Sequence, residues 1–416
     1  MNFITRLSWA IAFAAATAVH AEPDPAPLTL AEAQRLALAQ QPLIEAQRLA
    51  LRAARENAVA AAQLPDPALT GGVTDLPAAG PDRFTTREPD TQLMIGVKQV
   101  FPGGRERELR GERGAAEADR MAAELDEQRR MAQRETAVAW IGAWRALRAQ
   151  RILNQAATEA QRQRDAADIA YRAGRAPQSE LLASRVAVEL LADQLDGLAQ
   201  DEWHARNELR RWIGDAAERP LPAELPEWPA PDEAVLATRL ETHPHVAVQQ
   251  AAVAVARADV GLAQADYVPD WSVELGYGYR PEFDDFASVK FEIGLPLFTA
   301  QRQDRLVAAR TAELERAGDL RDDWLRQHRA EIRLNAADWH RLQARFARYD
   351  NAIRPQAQQR LDAALAAYGA GSGALAAVIE ARRSLLDIHM QRLELQADAA
   401  RHQAQLQYFA PTEAQP

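Results

Sequence analysis

The sequence predicts a mainly helical protein in which long antiparallel helical hairpins, duplicated along the chain, carry a small β component of four strands. Of 416 residues, 26% are charged and only 6% are aromatic, which suits long helices better than one thick globular core. Residues 105–171 contain no proline, so an uninterrupted helix there would reach about 100 Å at 1.5 Å per residue. Elsewhere, short segments alternate between apolar and polar residues, as half-buried strands do.

The clearest alternating segment lies within residues 288–298. Every second residue from Val289 to Leu297 is large and apolar. Segments 271–279 and 93–97 alternate in the same way, and segment 68–75 alternates only weakly. Each clear strand has about ten residues, the length that crosses a bilayer when the strand is tilted. Within segment 288–298, the residues between the apolar positions are Lys290, Glu292, Gly294 and Pro296.

A sheet of such strands in a membrane has to close on itself, because bare strand edges do not occur in hydrocarbon. Small barrels take about eight strands, so the four strands of one chain cannot enclose a pore. The chain is therefore expected to combine its strands with those of its own copies, and three copies would give twelve strands around a water-filled bore. The alternative is a soluble sheet whose apolar face packs on the helices.

The chain is also a duplicated unit, with a period of roughly 200 residues. The stretch YRAGRAPQSELLASR at 171–185 matches YGAGSGALAAVIEAR at 368–382, and Ile95-Gly96-Val97 matches Ile293-Gly294-Leu295. A kink or a break is expected at Pro355, within the otherwise proline-free stretch 301–368. The predicted division is a signal peptide at 1–21, a first repeat at 22–218, a proline-rich connector at 219–232, a second repeat at 233–408 and a short tail at 409–416.

Charge and cysteine usage exclude several classes of function. The formal net charge of -10 argues against nucleic acid, which requires a concentrated basic face. The absence of cysteine excludes disulfides, thiolate catalysis and a lipid-modified cysteine. The N-terminus predicts export, since Arg6 precedes a short apolar run and Val19-His20-Ala21 resembles a cleavage site. After that segment no helical membrane span is expected.

A metal site is not expected either. His243-Pro244-His245 is the only close histidine pair, and its proline context predicts a surface turn rather than a ligand set. The remaining histidines after the signal peptide lie singly on predicted helices and are expected to be wall residues. They are His204, His328, His340, His389 and His402.

Together these motifs resemble the TolC family, the outer-membrane channels of tripartite export systems. The resemblance covers essentially the whole chain after the signal peptide. It rests on LTLAEAQRLALAQQP near the start, on LPDPAL and YVPDWS before the first and third strands, and on the joints FPGGRERELR and LPLFTAQRQDR. Within the family, LPDPALTGGVTDLP is most similar to the heavy-metal efflux channels of the CusC and CzcC type.

The resemblance implies a homotrimer in the outer membrane of a Gram-negative bacterium, extending into the periplasm. Each protomer would give four strands to a twelve-stranded barrel in contact with lipid, and its helices to a long periplasmic tube. Connections 77–89 and 281–286 would face outward. A periplasmic adaptor (membrane fusion protein) and an RND-type inner-membrane pump are the implied partners. The residues expected to line the barrel lumen are Lys98, Glu274, Lys290 and Glu292.

The glycine turns at 172–179 and 369–374 would then be periplasmic tips, where the adaptor docks. Family members carry aspartates just after these turns, at the narrow pore entrance. The matching positions here are Glu180 and Glu380, and a further acidic position is replaced by Ala377. Three copies of each glutamate would form an anionic collar; the alternative is that they are solvated helix carboxylates. The expected tip residues are Gly174, Arg175, Gly371 and Ser372.

The predicted function is a passive exit duct of a tripartite efflux system for heavy-metal cations. No nucleophile-and-base arrangement, phosphate loop or HExxH motif occurs in the sequence, so neither an enzyme nor a cofactor is expected. A channel for drugs or other small molecules is the first alternative. A periplasmic coiled-coil adaptor or a structural coiled coil is the alternative from another class, although adaptors carry strand-rich modules between their helices that this sequence lacks.

Overall fold

The computed structural model describes residues 26–410. The predicted signal peptide and most of the predicted tail lie outside the described residues. In each half of the chain two helices are followed by one pair of strands and then by long helices. The elements are α1 (Leu30–Gln40), α2 (Pro42–Ala61), β1 (Ala68–Thr74), β2 (Gln92–Phe101), α3 (Glu106–Arg172), α4 (Gln178–Ile213), α5 (Glu233–Arg239), α6 (Pro244–Ala265), β3 (Trp271–Tyr279), β4 (Phe286–Ile293), α7 (Gln303–Arg348), α8 (Arg354–Gly369) and α9 (Leu375–Tyr408).

The proline-free stretch forms one helix, as predicted: α3 has 67 residues, about 100 Å at the usual rise. Proline begins a helix at the same point of each repeat, Pro42 in α2 and Pro244 in α6. A proline fits the first helical position because its missing N–H would have no partner inside the helix there. Residues 219–232 contain no helix or strand.

The kink expected at Pro355 takes the form of a π-helical turn, Tyr349–Ile353, between α7 and α8. A wider turn accommodates a residue that cannot donate the next backbone hydrogen bond. The Asp350 carboxylate within this turn accepts from the Arg392 guanidinium at 3.0 Å and lies 3.2 Å from Arg354. The helix axis is therefore disturbed without a break, and α9 supports the disturbed turn.

The largest hydrophobic core surrounds the middle of α3. Trp140, Ile141 and Trp144 are fully buried there among leucines and many alanines of α1, α4 and α9. The indole N–H of Trp140 donates to the carbonyl oxygen of Leu28 at 3.0 Å. The alanines allow the helices to approach closely, so the aromatic residues of one helix fill the space between several helices.

The four strands form one antiparallel sheet in the order β1-β2-β3-β4. Its central pair, β2 and β3, joins the two halves of the chain, with Gly96 opposite Gly276 and Lys98 opposite Glu274. Strands β1 and β4 are the two edges, and within one chain neither has a partner on its outer side.

The predicted end of the last strand was wrong. The alternation in the sequence continues to Leu297, but β4 ends at Ile293. Gly294 donates its N–H to the carbonyl oxygen of Asp270 at 3.1 Å, and Pro296 has no N–H to continue a ladder. Thus the chain leaves the sheet at Gly294, whereas the repeat-matched residues 95–97 all lie within β2. Phe286, placed in the outer connection by the sequence, is the first residue of β4.

The prediction that His243-Pro244-His245 forms a surface turn was also wrong. His243 is only 3% exposed, and its side chain accepts the backbone N–H of His245 at the start of α6. The indole of Trp324 is sandwiched between the rings of His245 and His328, at centroid distances of 4.5 and 3.9 Å. His328 is therefore a member of this partly buried group rather than a solitary wall residue, because α7 packs against the start of α6.

A buried carboxylate, Glu127 of α3, completes this group. It accepts a hydrogen bond from the Tyr408 hydroxyl and lies 3.5 Å from Nδ1 of His245. Burial opposes its ionisation, but the hydrogen bonds from His245 and Tyr408 hold the pKa of Glu127 below its ordinary value. Within residues 26–410, no group of three or more His, Cys, Asp and Glu side chains is arranged to hold a metal ion.

One helical stretch among the described residues, Glu233–Ala265, is long and apolar enough by composition to cross a membrane. It is interrupted by a turn of 3-10 helix at Leu240–Thr242. Its longer part, α6, packs along α3 and α7. Composition alone is weak evidence of a span, since helices packed within a protein satisfy the same criterion.

Candidate channel wall and helical tips

The sheet has one continuous apolar face, formed by every second residue of each strand. In the pairing register, Leu69, Val97, Leu275 and Val289 form one row across all four strands. These four side chains are between 50% and 74% exposed, so the helices of the same chain do not cover them. Aromatic residues of this face lie towards the ends of β3, where Trp271 stacks on Phe101 at 4.3 Å. The face is thus an apolar surface without a partner inside one chain.

The opposite face of the sheet, called the polar face below, carries mostly small, polar and charged residues, with Met94, Val100 and Phe286 as the larger apolar exceptions. All four residues expected in the lumen lie on this face, since Lys98 pairs with Glu274 and Glu274 pairs with Lys290, with Glu292 two residues further along β4. The structure therefore brings these four side chains together on one side of the sheet. Their exposure to a channel lumen stays a prediction.

The joint between β2 and α3 depends on two glycines. A Cβ on Gly103 would lie 2.4 Å from the carbonyl oxygen of Val268, and Gly104 has a φ of +55°. The backbone N–H of Gly103 donates to the Asp270 carboxylate at 2.7 Å. Glycine is required where the backbones approach this closely, so FPGG and YVPD together fix the angle at which the long helix leaves the sheet.

The two glycine turns lie at the far ends of the long helices. Gly174 and Gly371 adopt φ values of +67° and +75°. Each lies just beyond the end of a helix, and its backbone N–H donates to a carbonyl oxygen of the last helical turn. The two tips also pack together, because Ala167 of α3 shares a small buried cluster with Leu375 and Val378 of α9. Arg175 and Ser372 are exposed in these turns.

The two candidate entrance glutamates occupy different surroundings. Glu180, in the first turn of α4, is partly buried and lies 3.5 Å from the hydroxyl of Tyr368, near the end of α8. Burial, together with the Glu180 carboxylate, raises the pKa of Tyr368, so the hydroxyl stays protonated and can donate. Glu380 is exposed and lines a groove of about 400 Å³ beside Arg383 and Asp387. A role for either glutamate in a pore stays a prediction.

Sequence reasoning missed two contacts in these regions. Tyr368 was noted only as a marker of the repeat, but it connects the two tips through Glu180. Thr70 was not singled out, because β1 alternates weakly, yet its hydroxyl donates to Glu274 at 2.7 Å across β2. Gly96, in the strand between Thr70 and Glu274, was the sequence feature that could have indicated the second contact, since a glycine inside a strand often marks a close approach of neighbouring groups.

The fold and the second half of the sequence both match known proteins. Residues 235–409 match the family described as Outer membrane efflux protein. A crystal structure of CusC superposes with a TM-score of 0.77 at 15% identity, covering 92% of both chains. VceC from Vibrio cholerae gives a TM-score of 0.76 at 20% identity, covering 91% of this chain and 95% of its own. The Campylobacter jejuni CmeC outer membrane channel gives 0.77 at 13%, covering 98% and 93%.

The chain therefore has the fold of the TolC-type outer-membrane channels, the fold that its sequence motifs indicated. The family match covers residues 235–409, less than half of the chain, and so supports this likeness for the second repeat. No curated protein sequence matches the chain significantly. The periplasmic adaptor and the soluble coiled coil, the alternatives from another class, are not supported by this fold.

Proposed function

We propose that the chain is the outer-membrane exit duct of a tripartite efflux system and works as a homotrimer. The apolar sheet face carries this proposal. Its side chains are exposed in a single chain, and both edge strands lack outer partners. Lipid would cover the apolar face, and β1 of one copy would pair with β4 of the next, because a membrane sheet has to close. Three copies would give a barrel of about twelve strands, wide enough for a water-filled bore.

The helices would extend this bore into the periplasm. A helix of 67 residues reaches about 100 Å, far beyond one membrane thickness. The tips with Gly174, Arg175, Gly371 and Ser372 would then face the inner membrane. An adaptor of the membrane fusion type and an RND pump would connect there, since the exposed turns are the part of the chain furthest from the sheet.

Heavy-metal cations are the substrates that we propose first. The similarity of the segment around β1 to CusC-type channels supports this choice, and so do Glu180 and Glu380, whose copies would offer negative charge at the entrance. Drugs or other small molecules are the second candidate, because VceC and CmeC share the fold to the same extent as CusC, so the fold by itself does not select the substrate. A deletion strain separates the candidates, since loss of the channel should lower resistance to zinc, copper or cobalt salts in the first case and to lipophilic drugs in the second.

The assembly is tested by fractionation and electrophoresis. The protein should stay with outer membranes after salt and carbonate washing, run as a trimer in unboiled samples, and conduct ions in planar bilayers. Recovery of a monomer that stays soluble without detergent would contradict the proposal.

A further inference from the structure

The charged side chains of the polar face are balanced in number. Lys98, Glu274 and Lys290 stand opposite one another on three neighbouring strands, and Glu292 lies two residues beyond Lys290 on β4. Two positive and two negative charges therefore share one band of the sheet. Lys98 and Lys290 are also the only lysines in the 416 residues, whereas the long helices use arginine throughout.

Two contacts cross an intervening strand to hold the carboxylates. Lys98 Nζ lies 2.5 Å from Glu292 Oε2, across β3, beside the small side chain of Ser272. The Thr70 hydroxyl donates to Glu274 at 2.7 Å, across β2. The second contact crosses β2 at Gly96, which has no side chain to block it.

Gly96 shows how little room these contacts leave. A Cβ at this position would lie 2.8 Å from Thr70 Oγ1 and 3.2 Å from Glu274 Oε1. Similarly, a Cβ on Gly276 would lie 2.7 Å from Ser288 Oγ and 3.0 Å from Met94 Cε. Because the glycines leave the backbone bare, longer neighbouring side chains can lie along the sheet instead of standing away from it.

We propose that the polar face is a charge-compensated wall, which admits solutes of either charge to the strand region of the channel. The inference rests on the proposed function, since it requires this face to line a water-filled lumen. Lys98 and Glu292 form an ion pair, and Lys290 stands opposite Glu274 in the register, so the two positive and two negative charges of this band sum to zero. Any preference for cations is then created by the helical part of the duct rather than by the barrel.

The chain contains no cysteine, so a single introduced thiol can measure the local potential. Ser288→Cys places a thiol on the polar face, next to Lys290 in the row with Gly276. Its rates of modification by cationic trimethylammonioethyl methanethiosulfonate and anionic sulfonatoethyl methanethiosulfonate are measured in intact outer membranes. The ratio of the two rates is divided by the same ratio for free 2-mercaptoethanol, which removes the intrinsic reactivity of the reagents.

A compensated wall should give a normalised ratio within about twofold of one. Adding K98Q or K290Q should raise the ratio in favour of the cationic reagent by about threefold to tenfold at low salt. One unit charge at about 7 Å in water changes the encounter rate of a charged reagent by about threefold, and the rates of the two reagents change in opposite directions. E292Q should lower the ratio. The double variant K98Q/E292Q should return it to the starting value.

Acetylation of amines gives a second measurement without a further mutation. In the Ser288→Cys protein an amine-acetylating reagent removes the positive charge of Lys98, Lys290 and the N-terminal amine only. Acetylation should therefore raise the ratio of cationic to anionic modification rates, as the lysine variants do. The K98Q/K290Q protein should not respond.

The inference is overturned if the ratio is already strongly skewed with all four charges present, or if none of the charge variants moves it. Ala287→Cys, on the apolar face, separates this result from a failure of the proposed function. Should the thiol at 288 be unreactive, or should both thiols react equally with the charged reagents, then the polar face does not line an aqueous lumen and the proposed function fails together with the inference.

Discussion

Nε2 of His243, at the start of α6, lies 3.1 Å from the carbonyl oxygen of Tyr408, the last residue of α9. A carbonyl can only accept, so Nε2 carries the proton and Nδ1 accepts the backbone N–H of His245 at 3.2 Å. The contact thus selects one neutral tautomer of His243. It also joins the beginning of the second repeat to the end of the last helix, and Glu127 connects both to α3.

Removing the Tyr408 hydroxyl should destabilise this junction. Tyr408→Phe removes one of the two donors to the buried Glu127 carboxylate and leaves only His245, and a buried acceptor that loses a partner costs about 1–3 kcal/mol. We expect a corresponding loss in the free energy of unfolding, measured by denaturation in detergent. Tyr171→Phe is the matched control, since Tyr171 is 41% exposed and should change little. Equal effects of the two substitutions would show that the hydroxyl of Tyr408 does not stabilise the junction.

Acidification should destabilise the same junction. Burial lowers the pKa of His243 from 6.5 to about 4, so the unfolded chain binds more protons between these values. Stability contributed by neutral His243 is therefore complete above pH 6.5 and falls as the pH approaches 4, by about 3 kcal/mol in total. His243→Asn keeps an acceptor at the start of α6 but cannot titrate, so its unfolding free energy should depend less on pH in this window.

The control for the pH experiment is His340→Asn, because His340 is an exposed residue of α7. That variant should retain the pH dependence of the unsubstituted protein. If His243→Asn retains it as well, protonation of other groups causes the acid sensitivity.

Neutralising the tip glutamates should reduce cation preference, if these residues line the entrance. In planar bilayers under a salt gradient, the double variant Glu180→Gln, Glu380→Gln should shift the reversal potential towards that of a non-selective pore. Three copies of two negative charges would be lost at a narrow point, where charge rings govern selectivity. Glu189→Gln is the control, an exposed carboxylate further along α4. Unchanged selectivity in the double variant would exclude both glutamates from an anionic collar.

A charge on the apolar sheet face should prevent assembly. Val289→Arg puts a guanidinium where lipid is expected, at a cost of about 2–4 kcal/mol per chain near the membrane centre. The yield of heat-resistant trimers in outer membranes should fall sharply. Ser288→Arg, the adjacent residue on the polar face, should be tolerated because its side chain would meet water. If both variants assemble equally well, the two faces do not differ in the solvent that they contact.

Particular elements show how far the sequence could predict the structure. The proline-free stretch became α3, and alternation located β2 and β3, because periodicity and proline act within a few residues of the chain. The predicted end of β4 was wrong, since Gly294 leaves the ladder and donates to the carbonyl oxygen of Asp270, which lies in the connection between α6 and β3. The exposure of the His243 pair was wrong for a related reason: the residues that bury it, Trp324 and Tyr408, lie 81 and 165 positions away along the chain.

The sequence by itself determined the long helices, the strands, their duplicated order and the resemblance to efflux channels, since these depend on local periodicity and on motifs that repeat. The tertiary structure decided which side chains meet: that Tyr368 approaches Glu180 between the tips, that Lys98 reaches Glu292 across a strand, and that Glu127 is buried between two histidines and a tyrosine. Such contacts arise from the register of the sheet and the packing of helices, which bring together residues that no local pattern relates.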